Sequence, residues 1–167
     1  MHKIFERFLP AALRGPRAES AGPVPAPYVR VGCDVAAISD VQWALDRFGD
    51  RYLTRVFGLS GPLSRYELSP QHLAGKFAAM EAVAKILDVR ATSVPLGDIE
   101  IVNNPSGRPS VVLHRRASEV ARALGVQAWD VSISHEADTA FAVAVATGLA
   151  GRGGQTQETQ SSQFRQV

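Results

Sequence analysis

The stretch Leu73-Ala74-Gly75-Lys76-Phe77-Ala78-Ala79-Met80-Glu81-Ala82-Val83-Ala84-Lys85-Ile86-Leu87 decides how this chain is read. Leu73, Phe77, Met80, Ala84 and Leu87 recur at helical spacing, and neither Pro nor Gly interrupts after Gly75. Ser69 is placed to cap the helix, and Pro70 suits its first turn. Glu81 stands out, because a carboxylate in apolar company is costly unless cations or donors compensate it. Lys85 follows one turn later, on the same face. Such a pair is also an ordinary feature of helix surfaces, contributing about 0.2–0.5 kcal/mol. The helix alone leaves both readings open.

Outward from this helix, composition narrows the class. The chain has 167 residues, 46% hydrophobic and 20% charged, which suits one globular domain with a real core plus tails. Net charge is only +2 and no dense Lys/Arg run occurs, so no nucleic-acid partner is expected. The single cysteine, Cys33, excludes an intrachain disulfide and fits a reducing, cytoplasmic compartment. The apolar stretches are too short or too interrupted to span a membrane.

On the N-terminal side, His2 to Arg14 reads as a short basic amphipathic segment, and Gly15 to Pro27 as a Pro/Ala/Gly linker. Residues 1–27 are therefore expected to be a flexible extension, with docking to a partner or membrane surface as the other reading. A domain is expected over residues 28–148. It opens with a strand, Tyr28 to Val35, in which Gly32 permits close backbone approach. Asp34 is a second acid in apolar company; it also suits a helix N-terminus, since helices are predicted over Ile38–Phe48 and Asp50–Phe57. Gly58 to Pro70 reads as a loop.

On the C-terminal side, Asp98 to Val102 alternates like a half-buried strand. Asn103 to Pro109 turns the chain into a returning strand, Ser110 to Leu113, making a hairpin. A helix over Ala117–Leu124 ends at Gly125. Trp129 to His135 is a strand with Val131 and Ile133 on one side and Ser132 and Ser134 on the other. After Glu136-Ala137-Asp138, an apolar strand runs from Thr139 to Thr147. Residues 149–167, low in apolar periodicity, are expected to be a disordered tail.

Four of these segments, in order, resemble the holo-acyl-carrier-protein synthases, the small phosphopantetheinyl transferases. Val31-Gly32-Cys33-Asp34-Val35 is similar to the family's Gly-aliphatic-Asp-aliphatic strand, and Leu73 to Lys85 to its L-A-x-R-F-A-A-K-E-A-x-x-K helix. Val131-Ser132-Ile133-Ser134-His135-Glu136 resembles its V-S-I-S-H-D strand end, and Asn104-Pro105-Ser106-Gly107-Arg108-Pro109 its turn with Gly, a basic residue and Pro.

The resemblance implies an α+β fold, with a small antiparallel sheet packed on a long central helix and shorter helices. It implies a homotrimer with active sites between subunits, for which the strand Phe141 to Ala146 is either interface or ordinary core. The implied reaction moves the 4′-phosphopantetheine arm of coenzyme A to a serine of an apo acyl carrier protein or carrier domain and releases 3′,5′-ADP, a step that serves fatty acid and lipid biosynthesis. Asp34 and Glu81 are then the Mg²⁺ ligands, and two carboxylates with substrate oxygens and water suit that ion. Lys85 is implied to neutralise phosphate and to be suited to protonate the leaving oxygen, Lys76 to meet a phosphate, and His135 to hold the 3′-phosphate beside Ser134. Gly107 and Pro109 are implied to lie against adenine, although turn chemistry alone selects the same residues. The general base is left open between Glu81 and a Mg²⁺-bound hydroxide.

Three departures from the family pattern stand out. Met80 replaces a usual lysine, which implies a lost positive charge near the phosphates. Ser39-Asp40 stands where a basic residue commonly meets the acidic carrier, with Arg47, Arg51 and Arg55 as possible substitutes. The loop from Gly58 lacks the family's T-x-x-E pattern. Met80 raises a second reading, a non-catalytic member of the fold that binds coenzyme A or a carrier.

Overall fold

The computed structural model describes residues 25–58 and 68–150. The segment His2 to Arg14, most of its following linker, the loop residues 59–67 and the tail from Gly151 lie outside the described residues. The chain runs β1 (Pro27–Ala37), α1 (Ile38–Phe48), α2 (Asp50–Phe57), α3 (Pro70–Ile86) and a single turn α4 (Val89–Thr92). A 3₁₀ turn (Leu96–Asp98) precedes β2 (Ile99–Asn103) and β3 (Pro109–Leu113), followed by α5 (Arg115–Ala123), β4 (Val126–Glu136) and β5 (Thr139–Leu149). The fold is α+β, with a three-stranded antiparallel sheet in the order β1-β5-β4 and a separate hairpin of β2 and β3.

The central helix lies directly on the larger sheet because the residues between them are small. Ala140, Ala142, Ala144 and Ala146 of β5 are all fully buried, as are Ala78, Ala79 and Ala82 of α3. Gly32 of β1 sits against the backbone of α3, where an added Cβ would collide with the carbonyl oxygen of Ala82. A Cβ on Gly75 would lie 2.7 Å from the Ile133 side chain of β4. Helix and sheet therefore meet at backbone distance, and side chains beside the seam are brought together from both.

Strand register fixes which side chains share the helical face. Asp34, Ala142 and Ile133 form one rung across the sheet, and Ala36, Ala140 and His135 another. Buried Ala140 and Ala142 lie under α3, so Asp34 and His135 lie at opposite edges of that same face. Ser134, paired with Phe141, belongs to the other face. That outer face carries Val29, Val31, Val35 and Phe141, which are 66%, 65%, 61% and 41% exposed.

Three helix ends are held by identifiable donors and acceptors. Ser69 Oγ accepts from the His72 amide at 3.2 Å, with Pro70 in the first turn of α3. Arg30 Nη1 donates to the Ile86 carbonyl at 3.3 Å at the other end. α1 has no local cap, since Ala37 occupies that position. Asp138, from the β4–β5 turn, supplies the acceptors: its carboxylate receives Ser39 N at 2.8 Å and Ser39 Oγ at 2.6 Å, and its backbone oxygen receives Ile38 N at 2.9 Å.

Several local expectations shift. Asp98 is not the first residue of β2 but part of the 3₁₀ turn, 2% exposed. Its carboxylate accepts from Arg115 Nε at 2.8 Å and from the Arg116 amide at 3.0 Å, which caps α5 from a distance. α5 accordingly begins at Arg115 rather than Ala117, and β4 at Val126 rather than Trp129. A long-range cap is invisible to local periodicity.

Gly32→Ala should separate α3 from β1 and lower stability by about 1–3 kcal/mol, the usual cost of overpacking. Gly97→Ala, whose added Cβ would meet only the Arg55 carbonyl oxygen at 3.9 Å, should be near neutral. Thermal midpoints of the two variants check this contrast.

Candidate active site

One end of α3 opens into a cleft of about 190 Å³. Gln71, His72 and Lys76 come from the helix, Gly107 from the β2–β3 loop, Pro109 from the start of β3, and His135 from the end of β4. Four residues singled out in the sequence as candidate binding groups, Lys76, Gly107, Pro109 and His135, thus line one space. Ser134 does not line it, because strand alternation turns it to the opposite face.

The loop that brings Gly107 and Pro109 to the cleft is organised by Asn104. Its Oδ1 accepts from Ser106 N at 3.0 Å, Ser106 Oγ at 2.7 Å and Arg108 N at 2.9 Å. Gly107 adopts a φ of 82°, a left-handed conformation that suits a residue without Cβ. Arg108 Nη2 then reaches Asp130 on β4, at 2.9 Å to Oδ1 and 2.8 Å to Oδ2. That ion pair ties the hairpin to the larger sheet. The Arg108 hydrogen bond, helped by the Val131 amide, holds the Asp130 carboxyl below its ordinary 3.8.

Near the other end of α3 the charges are arranged differently from the helical pair considered in the sequence. Lys85 does not bond Glu81. Its Nζ donates to Asp34 Oδ1 at 2.8 Å and to the Cys33 carbonyl at 2.6 Å. The close seam at Gly32 explains the choice: β1 lies near enough for a strand carboxylate to take the ammonium. The hydrogen bond to Asp34 raises Lys85 above its ordinary 10.5 against opposing desolvation, and the charges of Asp34, Cys33 and Glu81 add to the rise. Lys85 therefore keeps its proton throughout the neutral range. Glu81 is half-buried and makes no hydrogen bond among the described residues.

The charges of Asp34 and Glu81 both act on the Lys85 ammonium. Among the described residues no group of three or more His, Cys, Asp or Glu side chains is gathered to hold a metal. Asp34 and Glu81 would offer a donor set of two carboxylates. That suits Mg²⁺, which keeps several waters and takes substrate phosphate, and does not suit an ion that needs a complete protein cage.

Met80 is 2% exposed and lies in the core, beside a small space that Phe57, Lys76, Glu100 and Ile101 also line. Glu100 has its own partner, His114 Nε2, at 2.7 Å. Asp40, Arg47, Arg51 and Arg55 are exposed on α1 and α2, as carrier-facing residues would need to be. Gln71 and Asp138 were missed. Neither belongs to a local pattern, and each acts across the chain.

The chain joins a helix-borne lysine and a strand-end histidine around a small polar cleft, with two acids farther along, Asp34 on β1 and Glu81 on α3, an arrangement that suits transfer of a phosphate-bearing group. Residues 30–146 match the model of the 4′-phosphopantetheinyl transferase superfamily, and the chain belongs to that family of enzymes. It is 44% identical over 122 residues to a holo-(acyl-carrier-protein) synthase of Solidesulfovibrio magneticus, covering 71% of this chain and 97% of that one. A second synthase, from Herpetosiphon aurantiacus, is 37% identical over 124 residues, covering 70% and 97%. The Helicobacter pylori holo-(acyl-carrier-protein) synthase, solved in complex with coenzyme A, superimposes with a TM-score of 0.57 at 28% identity, covering 70% of this chain and 99% of that one.

The Arg108–Asp130 pair gives a pH-dependent prediction. A depressed carboxylate contributes stability above its unfolded value near 3.8 and loses it as pH falls through the lower folded value. Arg108→Ala should therefore melt below the parent protein at pH 7, and the two midpoints should converge as pH falls below the folded value of Asp130. The gap at pH 7 should also shrink in high salt, because both side chains are largely exposed.

Proposed function

We propose that residues 28–148 form a Mg²⁺-dependent holo-acyl-carrier-protein synthase that works in the cytoplasm and supplies carrier proteins for fatty acid synthesis. The serine oxygen of an apo acyl carrier protein attacks the pantetheine-bearing phosphorus of coenzyme A. A new P–O bond forms, the anhydride P–O bond breaks, and 3′,5′-ADP leaves with the electron pair. The convergence of Lys76, Gly107, Pro109 and His135 on one cleft carries this reading, since all four are positions the family motifs had marked.

Each residue has a task suited to its chemistry. Lys76 and His135 meet phosphate oxygens, while Gly107 and Pro109 offer a flat, small-residue wall for the base. Lys85, protonated at neutral pH, stabilises charge on the leaving group and has a proton to give it. Asp34 and Glu81 would hold Mg²⁺, which when bound supplies charge neutralisation at the pyrophosphate. Glu81 is the side chain best placed to accept the serine proton. No helix among the described residues is long and apolar enough to cross a membrane, in keeping with a carrier substrate met in solution.

A homotrimer with shared sites fits the same geometry. Asp34 and His135 are separated by β5, roughly 10 Å at ordinary strand spacing. Lys76 and Lys85 lie nine residues apart on α3, roughly 13 Å along the axis. Residues of a neighbouring copy would complete each half. The outer sheet face, with exposed Val29, Val31, Val35 and Phe141, is apolar enough to be covered by other copies of the chain.

Intact-mass analysis of an apo carrier protein incubated with this protein, coenzyme A and Mg²⁺ tests the assignment. The carrier should gain one phosphopantetheine, and Asp34→Asn or Glu81→Gln should slow the gain by about 10²-fold or more. No gain on any of several carriers, while coenzyme A still binds, would overturn the enzymatic reading. Chelation of Mg²⁺ should abolish the gain and its return should restore it.

A further inference from the structure

His135 is held by a residue outside the family motifs. Gln71, the second residue of α3, places its side-chain Nε2 at 2.9 Å from His135 Nδ1. The two residues come from opposite walls of the cleft. An amide nitrogen has no lone pair to offer, so it bonds Nδ1 only as a donor, and Nδ1 must then be the unprotonated nitrogen. The remaining hydrogen sits on Nε2.

Among the described residues the neighbouring acids are placed elsewhere: Asp138 is committed to Ser39, and Glu136 alternates to the opposite face of β4 from His135. An amide partner orients the ring through a single hydrogen bond.

We propose that Gln71 is a positioning residue that fixes His135 as the neutral Nε2–H tautomer and aims that N–H into the cleft as a donor to an anionic oxygen. The tautomer stands on the geometry alone. The identification of the oxygen as a coenzyme A phosphate rests on the function proposed above.

The test uses the full chain labelled with ¹⁵N-histidine. Long-range ¹H–¹⁵N spectra at pH 8 distinguish a pyridine-like from a pyrrole-like nitrogen, and His135→Asn identifies the signal among the four histidines. The parent protein should show a pyridine-like Nδ1 and a pyrrole-like Nε2. Gln71→Ala should give averaged nitrogens, and Gln71→Glu should move the proton toward Nδ1. A parent ring carrying its proton on Nδ1, or a pattern unchanged in Gln71→Ala, would overturn the proposal.

Kinetics separate this from the functional reading. Gln71→Ala should raise KM for coenzyme A about 3- to 10-fold with kcat changed less than twofold, the signature of lost uniform binding. Gln71→Glu should not restore KM, although it too can bond the ring. If the tautomer pattern appears as expected but the protein neither binds coenzyme A nor modifies any carrier, the positioning role stands and the proposed function fails. A kcat loss in Gln71→Ala without a KM change would assign Gln71 to another role.

Discussion

The closeness of α3 to the three-stranded sheet is the constraint on which the rest depends. Gly32 lets the backbone of β1 reach that of the helix, Gly75 lets β4 do the same through Ile133, and the alanines of β5 fill the space between them. Larger side chains would lift the helix away. Close packing of this kind contributes through many small dispersion contacts rather than through a few large apolar anchors. It also sets distances between polar groups. Lys85 reaches Asp34 and the Cys33 carbonyl only because β1 lies under the last turns of α3.

The polar architecture follows the helix axis. At the N-terminal end, Gln71, His72 and Lys76 face a strand end and a hairpin loop, and positive potential collects in a concave space. Toward the C-terminal end, the Lys85 ammonium is paired with Asp34 and feels the charge of Glu81. A single helix supports both environments. The hairpin is a separate piece of sheet, so its position relies on the Arg108–Asp130 pair and on packing through Ile99 and Ile101.

Two tertiary caps give the fold cohesion beyond its core. Asp138 caps α1 from the β4–β5 turn, and Asp98 caps α5 from the 3₁₀ turn. Each orphan helix end contributes amides that a local Ser or Asn would ordinarily satisfy. Here the acceptor comes from another element, so helix placement and helix capping are one event. The Asp138 turn lies three residues beyond His135, which links α1 to the same strand end that lines the cleft.

Periodicity, punctuation and short motifs were enough to place most elements. The helical spacing from Leu73 to Leu87, the Ser69–Pro70 start, the alternation of β4 and the turn residues around Gly107 all express local backbone preferences, which neighbouring residues encode. The same motifs pointed to Lys76, Gly107, Pro109 and His135. Local pattern offered Glu81, one turn away, as a partner for Lys85, but the sheet brings Asp34 to it. Nor did it show that Met80 is buried in the core. It gave no sign of the pairs Gln71–His135 or Asp138–Ser39, whose members stand 64 and 99 positions apart. The sequence by itself determined which segments are helix or strand and which residue types are available for chemistry. Only the tertiary structure decided which of those residues meet, because partner choice depends on the packing distance between α3 and the sheet, and no stretch of neighbouring residues encodes that distance.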